Sequence, residues 1–153
     1  MINIQIDKKK LTSYLTRLIK YFDSKQLKTL SKIGDRNTIN TLQRLNITKK
    51  TPDGSPFAPL SPKYAEWKIK KFGSANIGIL SGRMRNSLGF SVMNEGKEKI
   101  INVYNVAFNS KGFPYPYVFQ EGSVKQPDRP FMGFSERESN IYVDWLMEGI
   151  KNA

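Results

Sequence analysis

The sequence predicts an α+β fold: N-terminal helices, a small mainly antiparallel sheet with a β-hairpin, and a C-terminal helix packed on the sheet. Three observations predict it. Apolar residues recur at spacings of three and four through the first 45 positions, alternate with period two from Leu88 to Phe108, and return to helical spacing after Ser135. At 153 residues the chain can bury a core and reads as a single domain, 1–153, with a basic helical part over 7–47 and a mixed part over 48–153.

The elements follow in order. Ile2, Ile4 and Ile6 alternate with Asn3 and Gln5, which predicts a strand or extended arm over 1–6 with one apolar face. Asp7 can then cap a helix whose stripe is Leu11, Leu15, Leu18, Ile19 and Phe22. Ser24 can cap a second helix carrying Leu27, Leu30 and Ile33, with Leu42 and Leu45 beyond a break expected at Gly34. Both stripes are most simply core-facing, a partner groove being the alternative, and either way the helical layer has a basic outer face. From Thr48 to Ser61 helix signals stop: prolines and a Pro52-Asp53-Gly54 turn make a loop that Phe57 and Leu60 would pin to the body. Ser61 and Pro62 open a helix to about Phe72, where Tyr64, Trp67 and Ile69 sit among lysines whose stems can cover neighbouring rings. After Gly73, residues 77–88 give a short apolar approach and one or two helical turns.

A hairpin follows. Leu88, Phe90 and Val92 alternate, Asn94-Glu95-Gly96-Lys97 turns the chain, and Lys99 to Phe108 returns. Ile101, Val103 and Ala107 occupy one face of the return strand, and Ile100, Tyr104, Val106 and Phe108 the other. Such a strand should be covered twice, once by helices and once by the aromatic loop or a neighbouring subunit. That loop, 113–135, is too irregular for one helix or strand: Pro116, Pro127 and Pro130 remove donors, and Gly122 and Gly133 permit turns. Its rings Tyr115, Tyr117, Phe119, Phe131 and Phe134 need cover from the fold or from a partner. Ser135 and Glu138 then form a capping box, and Ile141, Trp145 and Ile150, with Tyr142 and Leu146, give an amphipathic helix ending near Gly149.

Composition narrows the chemistry. With no Cys and no His, thiol nucleophiles, histidine bases, Ser-His-Asp triads and zinc fingers are excluded, and the 13 acidic residues are scattered. The chain reads as a non-enzyme with no catalytic residue, no metal and no cofactor. No apolar run approaches the ~18 to 20 residues needed to cross a bilayer, and the alternating start does not resemble a signal peptide. Charge is unevenly spread: residues 1–85 hold 18 Lys/Arg and 5 Asp/Glu (18 − 5 = +13), whereas residues 86–153 hold 7 and 8 (7 − 8 = −1). The first part therefore suits a polyanion or an acidic protein surface, a generic solubilising surface being the plainer reading. Lys8, Lys9 and Lys10, with Lys68, Lys70 and Lys71, are the densest clusters and the candidate polyanion contacts, although neither lies in a nucleic-acid motif.

Three segments together carry a resemblance. Asp53-Gly54-Ser55-Pro56-Phe57-Ala58-Pro59-Leu60-Ser61, then Ile79-Leu80-Ser81-Gly82-Arg83-Met84-Arg85-Asn86-Ser87-Leu88, then Tyr117-Val118-Phe119-Gln120-Glu121-Gly122 with Pro127-Asp128-Arg129-Pro130-Phe131-Met132-Gly133, stand in this order before a C-terminal helix. Over roughly residues 40–150 the chain resembles the virion-morphogenesis, or tail-completion, proteins of Mu-like and related tailed bacteriophages. Val118 and Phe119 depart from the family's usual alanine and smaller residue, at packing positions. The resemblance implies a structural protein of the phage neck, made in the host cytoplasm and placed where the head meets the tail. It implies portal or connector and tail proteins as partners, beside a homo-oligomer expected as a six-fold ring. Arg83, Arg85 and Arg129 are then the interface or framework cations, and Phe57, Trp67, Tyr117, Phe119, Phe131 and Phe134 the anchors. For Arg129 the simpler role is to donate hydrogen bonds within the chain and hold the proline loop. The alternative function is nonspecific nucleic-acid binding through the basic N-terminal half, limited to phosphate contact.

Overall fold

Residues 8–48 contain no proline and a single glycine, and they are helical throughout in the computed structural model, which describes residues 8–78, 82–95 and 98–152. Helix α1 (Lys8–Lys20) passes through a π-turn (Tyr21–Lys25) into α2 (Gln26–Gln43), and a second π-turn (Arg44–Thr48) ends the run. Each π-turn takes in one extra residue without interrupting the axis, so the rod extends about 60 Å at ~1.5 Å per residue. Lys49 stops it by turning left-handed at φ 54° and donating its N–H to the Arg44 carbonyl at 2.9 Å. The expected restart at Ser24 and break at Gly34 are therefore absent, because nothing between them removes a backbone donor. Gly34 serves close approach instead: a Cβ there would run into the Phe90 ring. The predicted arm over 1–6, the Asp7 cap, residues 79–81, the turn residues Gly96 and Lys97, and the side chain of Lys8 lie outside the described residues.

The sheet is the hairpin, β1 (Leu88–Glu95) paired antiparallel with β2 (Glu98–Asn105), with Phe90 opposite Val103 and Val92 opposite Ile101. Among the described residues only isolated bridges occur outside it, Lys50 with Pro56 and Ser123 with Gln126. In the 52–62 loop the Ala58 and Pro59 carbonyls accept from the Arg129 side chain rather than from a neighbouring strand. One sheet face meets α2. Leu30, Ile33 and Tyr142 form a cluster there, with Val92, Ile101, Trp145 and Leu146 packed against it. Helix α6 (Glu136–Lys151) lies along α2, opened by the capping box read from the sequence, and it continues past Gly149. The missing Cβ of Gly149 admits the Tyr21 ring, whose hydroxyl donates to the Leu146 carbonyl at 3.3 Å. The other sheet face is not covered by the aromatic loop: Met93, Tyr104, Val106 and Phe108 are exposed.

A second cluster explains where the loop goes. Leu45, Phe57, Met84, Phe119 and Phe131 are buried together, with Ile77, Tyr115 and Met132 against them. Helix α3 (Pro62–Phe72) starts with Pro62 in its first turn and stops at left-handed Gly73, φ 74°. Short α4 (Arg83–Asn86) contributes Met84. The aromatic segment is not loop from its start: α5 (Tyr115–Glu121) is a helix, because Pro116 in the first turn occupies a site where a missing N–H costs nothing. Its Phe119 packs edge-on against Phe57 and Phe131, with ring centroids 5.7 and 5.6 Å away. The core-facing reading holds for Leu30, Ile33 and Leu45. It fails for α1, whose Tyr14, Leu15 and Ile19, with Phe22 just beyond, are exposed because, among the described residues, no element other than the adjoining π-turn packs substantially on that end of the rod.

Candidate functional site

The aromatic-proline segment is held by three devices that need no strand. At the end of α5, Gly122 takes φ +76° and lets the chain double back; a Cβ there would stand 2.7 Å from the Asp128 nitrogen. The returning chain donates the Arg129 N–H to the Phe119 carbonyl at 2.8 Å. The Gln120 side-chain oxygen then accepts from the N–H groups of Phe131 and Met132 at 3.0 and 3.1 Å. Arg129 ties this unit to the 52–62 loop: its Nε donates to the Ala58 carbonyl at 2.6 Å, and its Nη2 to the Pro59 carbonyl at 2.8 Å. The residue is 3% exposed, and burial lowers its pKa while neighbouring Asp128 partly restores it. Two motifs far apart in sequence are thus joined by one planar fork.

Sequence reasoning missed a second junction. Arg44 is buried and paired with Glu138, and its Nη1 donates to the Gly133 carbonyl at 2.9 Å. Glu138 also completes the capping box, taking the Ser135 N–H at 2.7 Å, and accepts from Asn40 Nδ2 at 2.6 Å. The signal was present: Leu30, Ile33, Asn37, Thr41 and Arg44 recur at three and four residues, and all are buried. Polar side chains in the last three positions hid the continuation of the stripe from a hydrophobic reading.

The named candidates divide. Phe57, Phe119, Phe131 and Arg129 come together in the buried framework, whereas Trp67, Tyr117, Phe134, Arg83 and Arg85 lie at the surface. Trp67 stacks on Tyr64 at 5.3 Å, and Phe134 meets Tyr142 edge-on at 5.4 Å. Arg85 Nε donates to the side chain of its neighbour Asn86 at 3.2 Å. Lys9, Lys10, Lys70 and Lys71 are exposed, and the Lys71 ammonium lies 5.3 Å from the Trp67 ring centre. Lys68 does not share their surface. It is 3% exposed and donates to the Asn76 carbonyl, and burial lowers its pKa, because the turn of α3 that carries it faces the body.

Between α3, α4 and α5 lies a cavity of about 660 Å³, bordered by Tyr64, Lys68, Arg83, Tyr115, Lys125 and Arg129. Its borders carry cations, aromatic rings and the Ser61 hydroxyl. Burial raises the pKa of the Tyr115 hydroxyl, with Arg83 opposing. Among the described residues no acidic cluster could hold a metal ion, and no helix is long and apolar enough to cross a membrane. The arrangement is a buried frame that displays exposed apolar helices, an exposed sheet face and a basic surface. Comparison with curated proteins and with solved structures gave no match. Comparison with protein families gave one that spans nearly the whole chain, residues 6–151. By that match the chain belongs to the phage virion morphogenesis family.

Proposed function

We propose that this phage morphogenesis protein is a structural component of the virion neck. It acts in tail completion or head-to-tail joining by assembling with copies of itself into a cyclic ring, expected to be six-fold, between portal or connector and tail proteins. The observation that carries this reading is the exposed apolar surface on α1, α3 and the outer sheet face, which water covers poorly and neighbouring subunits cover well. A closed point group lets identical copies bury such surfaces on one another. Negative-stain imaging of the purified protein mixed with tails or portal complexes tests it. Rings attached to either particle are expected; neither rings nor attachment would defeat the proposal.

A second reading is nonspecific nucleic-acid binding, favoured by the net charge of +12 and the exposed Lys9, Lys10, Lys70 and Lys71. Phosphate contact predicts a steep linear loss of log affinity with log salt. A flat salt titration in filter binding removes this reading.

A further inference from the structure

We propose that α1 of one copy lies across the outer face of the β-hairpin of the next copy, an inference that rests on the self-assembly reading above. Helical spacing places Tyr14, Leu15, Leu18, Ile19 and Phe22 along one side of the rod, with Lys10 and Arg17, seven residues apart, along one border of that stripe. Ile19 is 62% exposed, and among the described residues the substantial packing of α1 is with the adjoining π-turn. Residues 8–22 carry five cations and no acid, so two such helices repel, and α1 against α1 is a poor pair.

The hairpin offers the complementary surface. Its register puts Gly89, Ser91, Met93 and Glu95 on the outer face of β1, opposite Tyr104, Asn102, Ile100 and Glu98 of β2. The Tyr104 ring lies over Gly89, where an added Cβ would stand 3.0 Å from Cε2, and Val106 extends the row at 58% exposed. Glu95 and Glu98 stand directly opposite one another, a like-charge pair that costs stability until a cation approaches. Among the described residues no Lys or Arg shares that face. An apolar platform ending in two carboxylates thus matches an apolar stripe bordered by cations. The 13 residues of α1 span about 20 Å against ~26 Å for the strand row, so the stripe fits within the face.

The contact cannot form within one chain. The inner face of the hairpin packs on α2, the outer face points away from the rod, and α1 continues the rod's own axis. Donor and acceptor surfaces are different, so the contact is head-to-tail and repeats from copy to copy, as a ring requires.

The test is charge reversal with rescue by mixing, read by light scattering at a concentration where the wild-type full chain assembles. Glu95→Lys with Glu98→Lys, and separately Lys10→Glu with Arg17→Glu, should each weaken assembly at least ~10-fold while circular dichroism stays native. Mixed one to one, the two variants should assemble, each helix meeting a hairpin of opposite charge. Wild-type assembly that persists unchanged in both variants, or a mixture that stays monomeric, overturns this contact and leaves the ring reading standing. A wild type that is monomeric at every concentration overturns both.

Discussion

Replacing Arg129 by methionine keeps an unbranched apolar stem and removes the donors. Two carbonyls, of Ala58 and Pro59, lose bonds of 2.6 and 2.8 Å from a cationic donor. Each such bond contributes about 1.5 to 3 kcal/mol net. Part of that is returned, because a guanidinium held at 3% exposure sits in a site that disfavours its charge, as the direction of its pKa shift shows. Pro59 is exposed and its carbonyl can recover water, whereas Ala58 is half-buried. The expected net loss is about 2 to 4 kcal/mol, a large share of the ~5 to 15 kcal/mol by which a domain is stable. In melting temperature this is roughly 5 to 15 °C for a chain of this size. Thermal and urea unfolding followed by circular dichroism measure it. Arg129→Lys should recover less than half, since an ammonium cannot span two carbonyls as a planar fork does. Gln120→Leu, which frees the N–H groups of Phe131 and Met132, should combine with Arg129→Met less than additively, because both hold the same segment. A loss below about 0.5 kcal/mol for Arg129→Met, or an Arg129→Lys variant as stable as wild type, would refute the clamp.

Other perturbations follow from the same geometry. Glu138→Gln leaves the Arg44 charge buried without its partner and should cost about 3 kcal/mol by urea midpoint, with Arg44→Met added to it recovering part; equal or additive losses would contradict the pairing. Gly34→Ala gains helix propensity of about 1 kcal/mol yet should lower the melting temperature, because its Cβ meets the Phe90 ring, and Phe90→Leu should relieve the conflict. Alkaline stability should show two opposed limbs. Burial lowers the folded-state pKa of Lys49 and Lys68 from 10.5, so the unfolded chain holds more protons just below that value and stability rises with pH there. Burial raises Tyr115 and Tyr142 above 10.0, so the unfolded chain ionises first and stability falls as pH climbs past that value. Urea midpoints across this range should show Lys68→Met flattening the rise and Tyr142→Phe flattening the fall.

Elements governed by local rules could be read without coordinates. The Ser135 and Glu138 box, Pro62 at a helix start with Gly73 at its end, and the alternation of Phe90 and Val92 each need only neighbours a few residues away. Arg129 as an intrachain donor was legible too, as a charge beside two prolines in a segment that had to be held. Tertiary structure decided what local rules leave open. Ser24 and Gly34 look like punctuation, yet a helix continues wherever its donors are unbroken, and Gly34 is needed by Phe90 from a distant strand. Tyr14 and Leu30 have the same helical spacing, and only the position of the sheet and α6 buries one and leaves the other bare. Lys68 and Lys70 are equal charges two residues apart, and the face that α3 turns to the body sends one inward and the other to solvent. Periodicity names the stripe, but its cover is set by contacts between residues far apart along the chain, and those depend on how the elements pack rather than on any short run of sequence.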